Sequence, residues 1–187
     1  EESPLLASIR TEALRVDHAH PIEAKCPVYS ANSTAFIQYT SGSVSQPKGV
    51  IITHTNLISN LAMIEKAFES ESPHTVISWL PFFHDMGLIT LLQALYRGHS
   101  FIFISPESFF VRPIKWLQLI SQEANVLSGG PNFAYDYCVK RIKAEQFASL
   151  DLSSWMLAYN GAEKVHAQTM AAFSQRFADC GFNSDAF

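Results

Sequence analysis

The chain has 187 residues, of which 48% are hydrophobic and 16% are charged, and its formal net charge is −4. This composition predicts a folded domain with a substantial core and excludes a disordered chain. The negative charge excludes the basic surface that nucleic-acid binding requires, and no apolar run is long enough to span a membrane. Three widely spaced cysteines fit no metal-binding pattern and favour a reducing, cytoplasmic setting.

Strand and helix signals alternate along most of the chain. Residues 1–33 are a poorly patterned lead-in, mostly loop, with a short helix or strand near Leu5–Val16. The later apolar runs predict strands at Ala35–Ile37, Val50–Thr53, Val76–Trp79, Phe101–Ile104, Val126–Ser128 and Trp155–Tyr159. The helical periodicities predict helices at Asn56–Phe68, Met86–Tyr96, Pro113–Glu123, Pro131–Ile142 and Ala167–Ala178.

This alternation predicts an α/β fold with a mostly parallel sheet flanked by helices, over residues 34–187. Ligands of such folds bind at the carboxyl ends of the strands. The short connections indicate no internal domain boundary. Thr55 or Asn56 is the expected cap of the first helix, and Pro113 fits the first turn of the third. The second helix is apolar nearly all round, which predicts a buried position.

A polar loop rich in hydroxyls separates the first two predicted strands. It runs Tyr39-Thr40-Ser41-Gly42-Ser43-Val44-Ser45-Gln46-Pro47-Lys48-Gly49-Val50. Glycines let backbone N–H groups approach a ligand, hydroxyls donate to phosphate oxygens, and the ammonium of Lys48 offsets their charge. The loop is not a P-loop, because Pro47 precedes the lysine and Gly49 follows it. The residues alone leave two alternatives, a polyphosphate site and an ordinary surface hairpin.

A second segment, Ser78–Leu88, joins a predicted strand to the second helix. Asp85 is placed to cap a helix that begins at Met86. The imidazole of His84, within an aromatic loop, is also placed to bind a carboxylate and orient it. These two interpretations do not exclude each other.

Two further turns follow predicted strands. The run Ser128-Gly129-Gly130-Pro131-Asn132-Phe133 is a strand-to-helix turn on its own residues. The run Tyr159-Asn160-Gly161-Ala162-Glu163-Lys164 precedes the last helix, where the helix dipole favours the charge of Glu163.

These segments resemble, in order, the motifs of the adenylate-forming superfamily. The hydroxyl and glycine residues that lead into Pro47-Lys48-Gly49 resemble its phosphate loop. The run Trp79-Leu80-Pro81-Phe82-Phe83-His84-Asp85-Met86-Gly87-Leu88 closely resembles a segment of its fatty acyl-AMP ligases. The resemblance extends from about Thr34 to the end of the chain. Val44 departs from the hydroxyl residue usual at its position, and Lys164 departs from a common proline.

The resemblance implies a site residue set in three groups. The residues that it implies for phosphate binding are Thr40, Ser41, Gly42, Ser43, Ser45, Lys48 and Gly49. Adenine binding falls to Asn160, Gly161, Ala162 and Glu163, and acyl binding to His84, Asp85, Gly130, Pro131, Asn132 and Phe133. Small glycines would leave room for an alkyl chain, with Phe133 as a wall. Lys48 and His84 are the implied catalytic residues, and no metal ligand is implied within this chain.

The resemblance also implies an activity. A fatty acid and ATP would give acyl-AMP and pyrophosphate, and the acyl group would pass to the phosphopantetheine thiol of an acyl carrier protein. Mg²⁺ would assist, with its main ligand outside this chain. The chain would be an inactive fragment of the large N-terminal domain, working in the full protein with a C-terminal domain that it lacks. Two alternatives remain open: an acyl-CoA synthetase, and a non-catalytic acyl- or nucleotide-binding relative, which Val44 favours.

Overall fold

A computed structural model describes residues 28–40, 47–68 and 74–187 of the chain. The chain divides into two compact units, Glu1–Ser30 and Ala31–Phe187. The element predicted near Leu5–Val16 lies outside the described residues. The features that follow all belong to the second unit.

The first two strands form a hairpin of their own. Strand β1 (Thr34–Thr40) pairs antiparallel with β2 (Lys48–Thr53), and Thr40 lies opposite Lys48. The predicted order of strand, polar loop and strand is therefore correct. The pairing places the two ends of the polar loop side by side, whereas residues 41–46 themselves lie outside the described part of the chain.

The other four strands form a separate parallel sheet in the order β4-β3-β5-β6. Its strands are β3 (Thr75–Ser78), β4 (Ser100–Phe103), β5 (Val126–Gly130) and β6 (Trp155–Asn160). The helices are α1 (His54–Phe68), α2 (Asp85–Arg97), α3 (Pro106–Val111), α4 (Ile114–Ile120), α5 (Asn132–Arg141) and α6 (Ala167–Phe177). Short 3₁₀ turns follow at Ala144–Ser149, Ala178–Cys180 and Ser184–Ala186. The predicted α/β fold with a mostly parallel sheet is confirmed.

The two faces of this sheet are filled to different degrees. Neighbouring strand residues point to opposite faces, so Val76 and Ile77 belong to different cores. The core around Ile77 is large and aromatic, and Trp116 and Phe173 within it are fully buried. The core around Val76 contains two further buried residues, Ala94 and Leu127. The thinly filled face is the one on which a cavity remains.

Helix α3 was not predicted, although its sequence carries a start signal. Ser105 precedes it and its hydroxyl accepts a hydrogen bond from the Ser108 N–H, while Pro106 occupies the first turn. The helix predicted at Pro113–Glu123 is shorter than expected. It runs from Ile114 to Ile120, with Pro113 at the N-cap.

Two expectations about helices α1 and α2 were wrong. Helix α1 begins at His54, because Thr53 and Asn56 exchange hydrogen bonds in the manner of a capping box: the Thr53 N–H donates to the Asn56 amide oxygen, and the Asn56 N–H donates to the Thr53 hydroxyl. Helix α2 is not buried all round, since Leu95 is 66% exposed and Tyr96 is 41% exposed. Among the described residues, no helix combines the length and the apolarity needed to cross a bilayer.

The Ser128 hydroxyl is a buried link between the sheet and α4. It donates to the Ile77 carbonyl at 2.5 Å and accepts from the Trp116 indole N–H at 2.7 Å. Ser128→Ala removes the acceptor of the buried Trp116 indole N–H and a donor to the Ile77 carbonyl, so we expect a loss of about 2 kcal/mol in the free energy of unfolding. Urea denaturation of the purified protein measures it. The same change at exposed Ser149 is the control, and equal effects of the two substitutions would contradict the assignment.

Candidate functional site

Strand β1, which precedes the polar loop, contacts the second motif segment. The Gln38 side-chain amide, on β1, donates to the Phe83 carbonyl at 3.2 Å. Lys48 and Gly49, at the start of β2, are exposed. The backbone of Thr40 is described, whereas Ser41, Gly42, Ser43 and Ser45 lie outside the described residues. Strand β1, which leads into this loop, therefore contacts the segment that contains His84.

His84, rather than Asp85, is the N-cap of α2, which corrects the expected cap. Helix α2 begins at Asp85, and Nδ1 of His84 accepts a hydrogen bond from the Met86 N–H at 3.3 Å. Asp85 Oδ1 lies 2.7 Å from the same N–H and 2.8 Å from the His84 ring nitrogen. A neutral Nδ1 accepts from Met86, and a protonated one donates to Asp85. Both side chains are well exposed, at 49% and 71%, so they remain open to a ligand.

Gly87 permits a close approach between the first turn of α2 and the loop that precedes it. A Cβ atom on Gly87 would lie 2.3 Å from the Pro81 carbonyl oxygen and 2.8 Å from that of Leu80. Backbone atoms cannot give way as a flexible side chain can, so only glycine fits. This contact fixes His84 at the junction of loop and helix.

The loop that follows β6 lies beside the first turn of α2. A Cβ atom on Gly161 would lie 3.8 Å from the terminal methyl of Met86, two residues after His84. Ala162 has a left-handed backbone with φ of 65°. That conformation costs a non-glycine residue roughly 1–2 kcal/mol, and such strain is concentrated at functional sites.

The two glycines at the end of β5 do not leave open space, contrary to expectation. A Cβ atom on Gly129 would lie 2.1 Å from the Tyr159 carbonyl oxygen, and one on Gly130 would lie 2.8 Å from the Trp79 ring. These glycines accommodate neighbouring protein groups. Phe133 packs parallel to the Phe110 ring, with centroids 6.0 Å apart.

Asn132 and Glu163 connect the last two motif segments. The Asn132 amide oxygen accepts from the His166 N–H at 2.9 Å, and its amide nitrogen donates to the Thr169 hydroxyl at 3.2 Å. The Glu163 carboxylate accepts from the Phe133 N–H at 2.7 Å. Glu163 therefore faces the first turn of α5 and not, as expected, that of α6, and the positive end of the α5 dipole favours its charge.

A cavity of about 420 Å³ lies between the sheet and helices α1 and α2. Its lining is mostly apolar and comprises Ile64, Glu65, Phe68, Val76, Met86, Ile89, Thr90, Gln93, Arg97, His99, Leu127, Tyr159, Asn160, Gly161 and Ala162. Three predicted site residues, Asn160–Ala162, are among these, and they lie at the carboxyl end of β6. Gly130, Pro131, Asn132 and Phe133 do not line this cavity.

Tyr159 gives the cavity an uncharged polar wall. Burial raises the pKa of the Tyr159 phenol to about 12, against a smaller opposing effect of its hydrogen bond with Thr90. The two hydroxyls are 3.4 Å apart, and the Thr90 hydroxyl also donates to the Met86 carbonyl at 2.7 Å. The phenol therefore stays protonated at neutral pH, and its oxygen is already hydrogen-bonded.

Asn160 presents a buried acceptor at the mouth of the cavity. Its amide nitrogen contacts the Asn132 amide oxygen at 3.5 Å and the Met170 sulfur at 3.0 Å. Its amide oxygen is buried, and no partner for it is found among the described residues. Such an acceptor is unfavourable unless a donor reaches it. The described ranges contain no cluster of three or more His, Cys, Asp or Glu side chains suited to a metal ion.

Sequence reasoning missed the residues at the other end of the cavity, namely Glu65, Gln93, Arg97 and His99. They belong to no recognised motif, and they lie near the amino ends of the strands, where ligands were not expected. A signal did exist, because Met86, Gln93 and Arg97 recur at helical spacing and so share one face of α2.

Motif loops at the carboxyl ends of parallel strands, next to an apolar cavity, are the arrangement of a ligand-binding α/β domain. The chain belongs to the AMP-binding enzyme family, whose pattern matches residues 4–183. The resemblance drawn from the motifs is therefore confirmed.

Two named proteins and one crystal structure of this family are similar to the chain. The chain is 47% identical to the medium-chain-fatty-acid–[acyl-carrier-protein] ligase TtuA of Teredinibacter turnerae over 84% of its length, and 47% identical to the ligase JamA of Moorena producens, of the same description, over 86%. It spans 25% and 27% of those proteins. The crystal structure of a fatty acyl-adenylate ligase from L. pneumophila, in complex with acyl adenylate and pyrophosphate, superposes with a TM-score of 0.81 and 48% identity. That match covers 86% of this chain and 29% of the ligase.

The contact at Gly87 generates a prediction about folding. Gly87→Ala should lower the free energy of unfolding by about 1–3 kcal/mol or more, because the added methyl overlaps two backbone carbonyls. Gly161→Ala is the matched control, since its methyl would make only ordinary contact with Met86. Chemical denaturation of both variants measures the difference, and a Gly87→Ala variant as stable as Gly161→Ala would contradict the geometry.

Proposed function

We propose that the protein containing this chain is an enzyme that activates a fatty acid with ATP, forming acyl-AMP and releasing pyrophosphate. One observation carries the proposal: the segment around His84 contacts both β1 and the loop after β6, that loop contacts the start of α5 through Glu163, and Met86 and Asn160–Ala162 line an apolar cavity. The isolated chain corresponds to about a quarter of its relatives, so the activity belongs to the full-length protein.

The obstacle in this reaction is electrostatic, because an anionic carboxylate must attack a polyanion. A carboxylate oxygen bonds to the α-phosphorus as the bond between that phosphorus and the pyrophosphate oxygen breaks. Catalysis then rests on positioning and on neutralising charge. We assign phosphate binding to Thr40, Lys48, Gly49 and the predicted residues of 41–45. Mg²⁺ would supply further neutralisation, with its main ligand outside this chain.

We place the adenine at the loop after β6. The Asn160 amide oxygen, for which the described residues offer no partner, is an acceptor suited to an exocyclic amine. The backbone of half-buried Gly161 and exposed Ala162 would face the base. Glu163 is committed to the α5 backbone, so its part in binding is to hold this loop against α5.

We place the acyl chain in the cavity and its carboxylate beside His84, with Asp85 adjacent. Each buried methylene contributes roughly 0.8 kcal/mol, so the apolar lining supplies most of the affinity for the tail. The segment Gly130–Phe133 supports the site through its contacts with Trp79 and Glu163. In this arrangement the imidazole orients the nucleophilic oxygen toward the nucleotide.

The acceptor in the second step is proposed to be the phosphopantetheine thiol of an acyl carrier protein. The descriptions of TtuA and JamA as acyl-carrier-protein ligases support that choice. The protein's own C-terminal domain is expected to take part. A cytoplasmic location belongs to the same proposal and is supported by two buried free thiols, Cys138 and Cys180.

Two assays on the full-length protein test the proposal. Fatty-acid-dependent exchange of labelled pyrophosphate into ATP tests the first step, and its complete absence with every fatty acid would leave a non-catalytic binding relative. Incubation with either a carrier protein or coenzyme A tests the second step. Accumulation of acyl-CoA in preference to acyl carrier protein would make the protein an acyl-CoA synthetase.

Lys48→Ala should lower the rate of pyrophosphate exchange by about 10²-fold or more, because the ammonium offsets phosphate charge in the transition state. Binding of the fatty acid alone should change little. Exchange kinetics and fatty-acid titration of the same preparation separate the two effects. Lys66→Ala, on exposed helix surface, is the control, and unchanged exchange in Lys48→Ala would refute the assigned role.

His84→Asn separates the capping role of this residue from its role with substrate. Asparagine is a good N-cap, so the thermal midpoint should stay close to that of the parent protein. The amide cannot replace the imidazole, so kcat/KM for the fatty acid should fall by about 10-fold or more. His84→Ala should lose both cap and activity. Full activity in His84→Asn would limit the residue to capping.

A further inference from the structure

The cavity changes character along its length. Met86, Ile89, Gln93 and Arg97 line it from α2, at spacings that keep them on one helix face. Met86 lies at the carboxyl edge of the sheet, beside Gly161. Toward the other edge the lining residues of the same face become polar and then charged.

An ion pair lines the far end of the cavity. The Arg97 guanidinium of α2 is paired with the Glu65 carboxylate of α1, and the two side chains are 25% and 33% exposed. His99 also lines this end. Burial is the main cause of its lowered pKa, and nearby His74 and Arg97 lower the pKa further. The Gln93 amide oxygen is buried, with no partner found in the described part of the chain. The apolar cavity thus ends at an ion pair, the His99 imidazole and the buried amide oxygen of Gln93.

We propose that the Glu65–Arg97 pair sets the upper limit of acyl-chain length, so that the cavity selects medium-chain acyl groups. The inference rests on the proposed function, which places the acyl tail in this cavity. A terminal methyl pushed against the pair would remove water from both charges and offer them no hydrogen bond in return. Additional methylenes beyond that point therefore add no affinity.

The distance along α2 from Met86 to Arg97 gives the upper limit on acyl-chain length. Arg97 lies eleven residues beyond Met86, which corresponds to about 16 Å at 1.5 Å per residue. An extended chain advances roughly 1.2 Å per bond, from the length of an extended backbone. An extended acyl chain in the cavity would therefore have roughly 13 carbon–carbon bonds between Met86 and Arg97, and roughly 9 between Met86 and Gln93. These lengths correspond to decanoic acid at Gln93 and tetradecanoic acid at Arg97, so they bracket dodecanoic acid and exclude extended hexadecanoic acid.

The test compares acids from hexanoic to octadecanoic in the full-length protein, by displacement of a fluorescent fatty acid and by pyrophosphate exchange. The parent protein should prefer decanoic or dodecanoic acid to hexadecanoic acid in both assays. Glu65→Ala/Arg97→Ala removes both charges together, because removing one would strand the other. This variant should raise the preference for hexadecanoic over decanoic acid by about 10-fold.

Two further variants keep the test decisive. Gln93→Trp blocks the cavity one helical turn nearer its mouth, so the preferred fatty acid should become shorter. This variant tests the limit on acyl-chain length even if the double variant fails to fold. Asp136→Ala/Lys140→Ala removes an ion pair of 2.6 Å on α5, away from the cavity, and should leave the chain-length profile unchanged.

The outcomes separate the two proposals. A parent preference for hexadecanoic acid, or profiles unchanged in both cavity variants, would overturn the inference while leaving the activity intact. Shifted binding profiles without any exchange would support the length limit and refute the adenylation chemistry. Failure of every fatty acid to bind would overturn both.

Discussion

The contact between the first turn of α2 and the Pro81 carbonyl is the constraint on which the site depends. It exists because Gly87 has no side chain, and it places His84 at the end of a helix and not within a free loop. Met86 then reaches Gly161, and Phe83 receives the hydrogen bond from Gln38. Three separate segments are brought together by contacts within one short stretch of chain.

The asymmetry of the sheet explains why one face holds a ligand cavity. On the other face, indole and phenyl rings from α4, α5 and α6 interlock, and the Ser128 hydroxyl anchors the Trp116 indole in that packing. On the α1–α2 face, small residues such as Ala94 leave the space unfilled. A densely packed aromatic core on one side of the sheet thus supports an open cavity on the other.

Much of this was predictable from sequence, because periodicity and local motifs act over short distances. The strands, the parallel sheet and the helix after His84 follow from residues close together in the chain. The cap at His84 and the true partner of Glu163 were missed, since each depends on how a loop meets a helix. The glycines at 129 and 130 were misjudged for a related reason: a sequence shows that a side chain is missing but not which neighbour fills the space.

The order β4-β3-β5-β6 has a consequence for how the polypeptide is made. Thr75 of β3 pairs with Val126 of β5, about fifty residues later, so the first strand of the sheet cannot acquire this neighbour until α2, β4 and the following helices have been synthesised. At roughly 5–20 residues per second, that interval lasts about 3–10 s. During translation the edge of β3 that will meet β5 stays unpaired for this interval, so hydrogen-bonding groups that the folded sheet satisfies remain exposed.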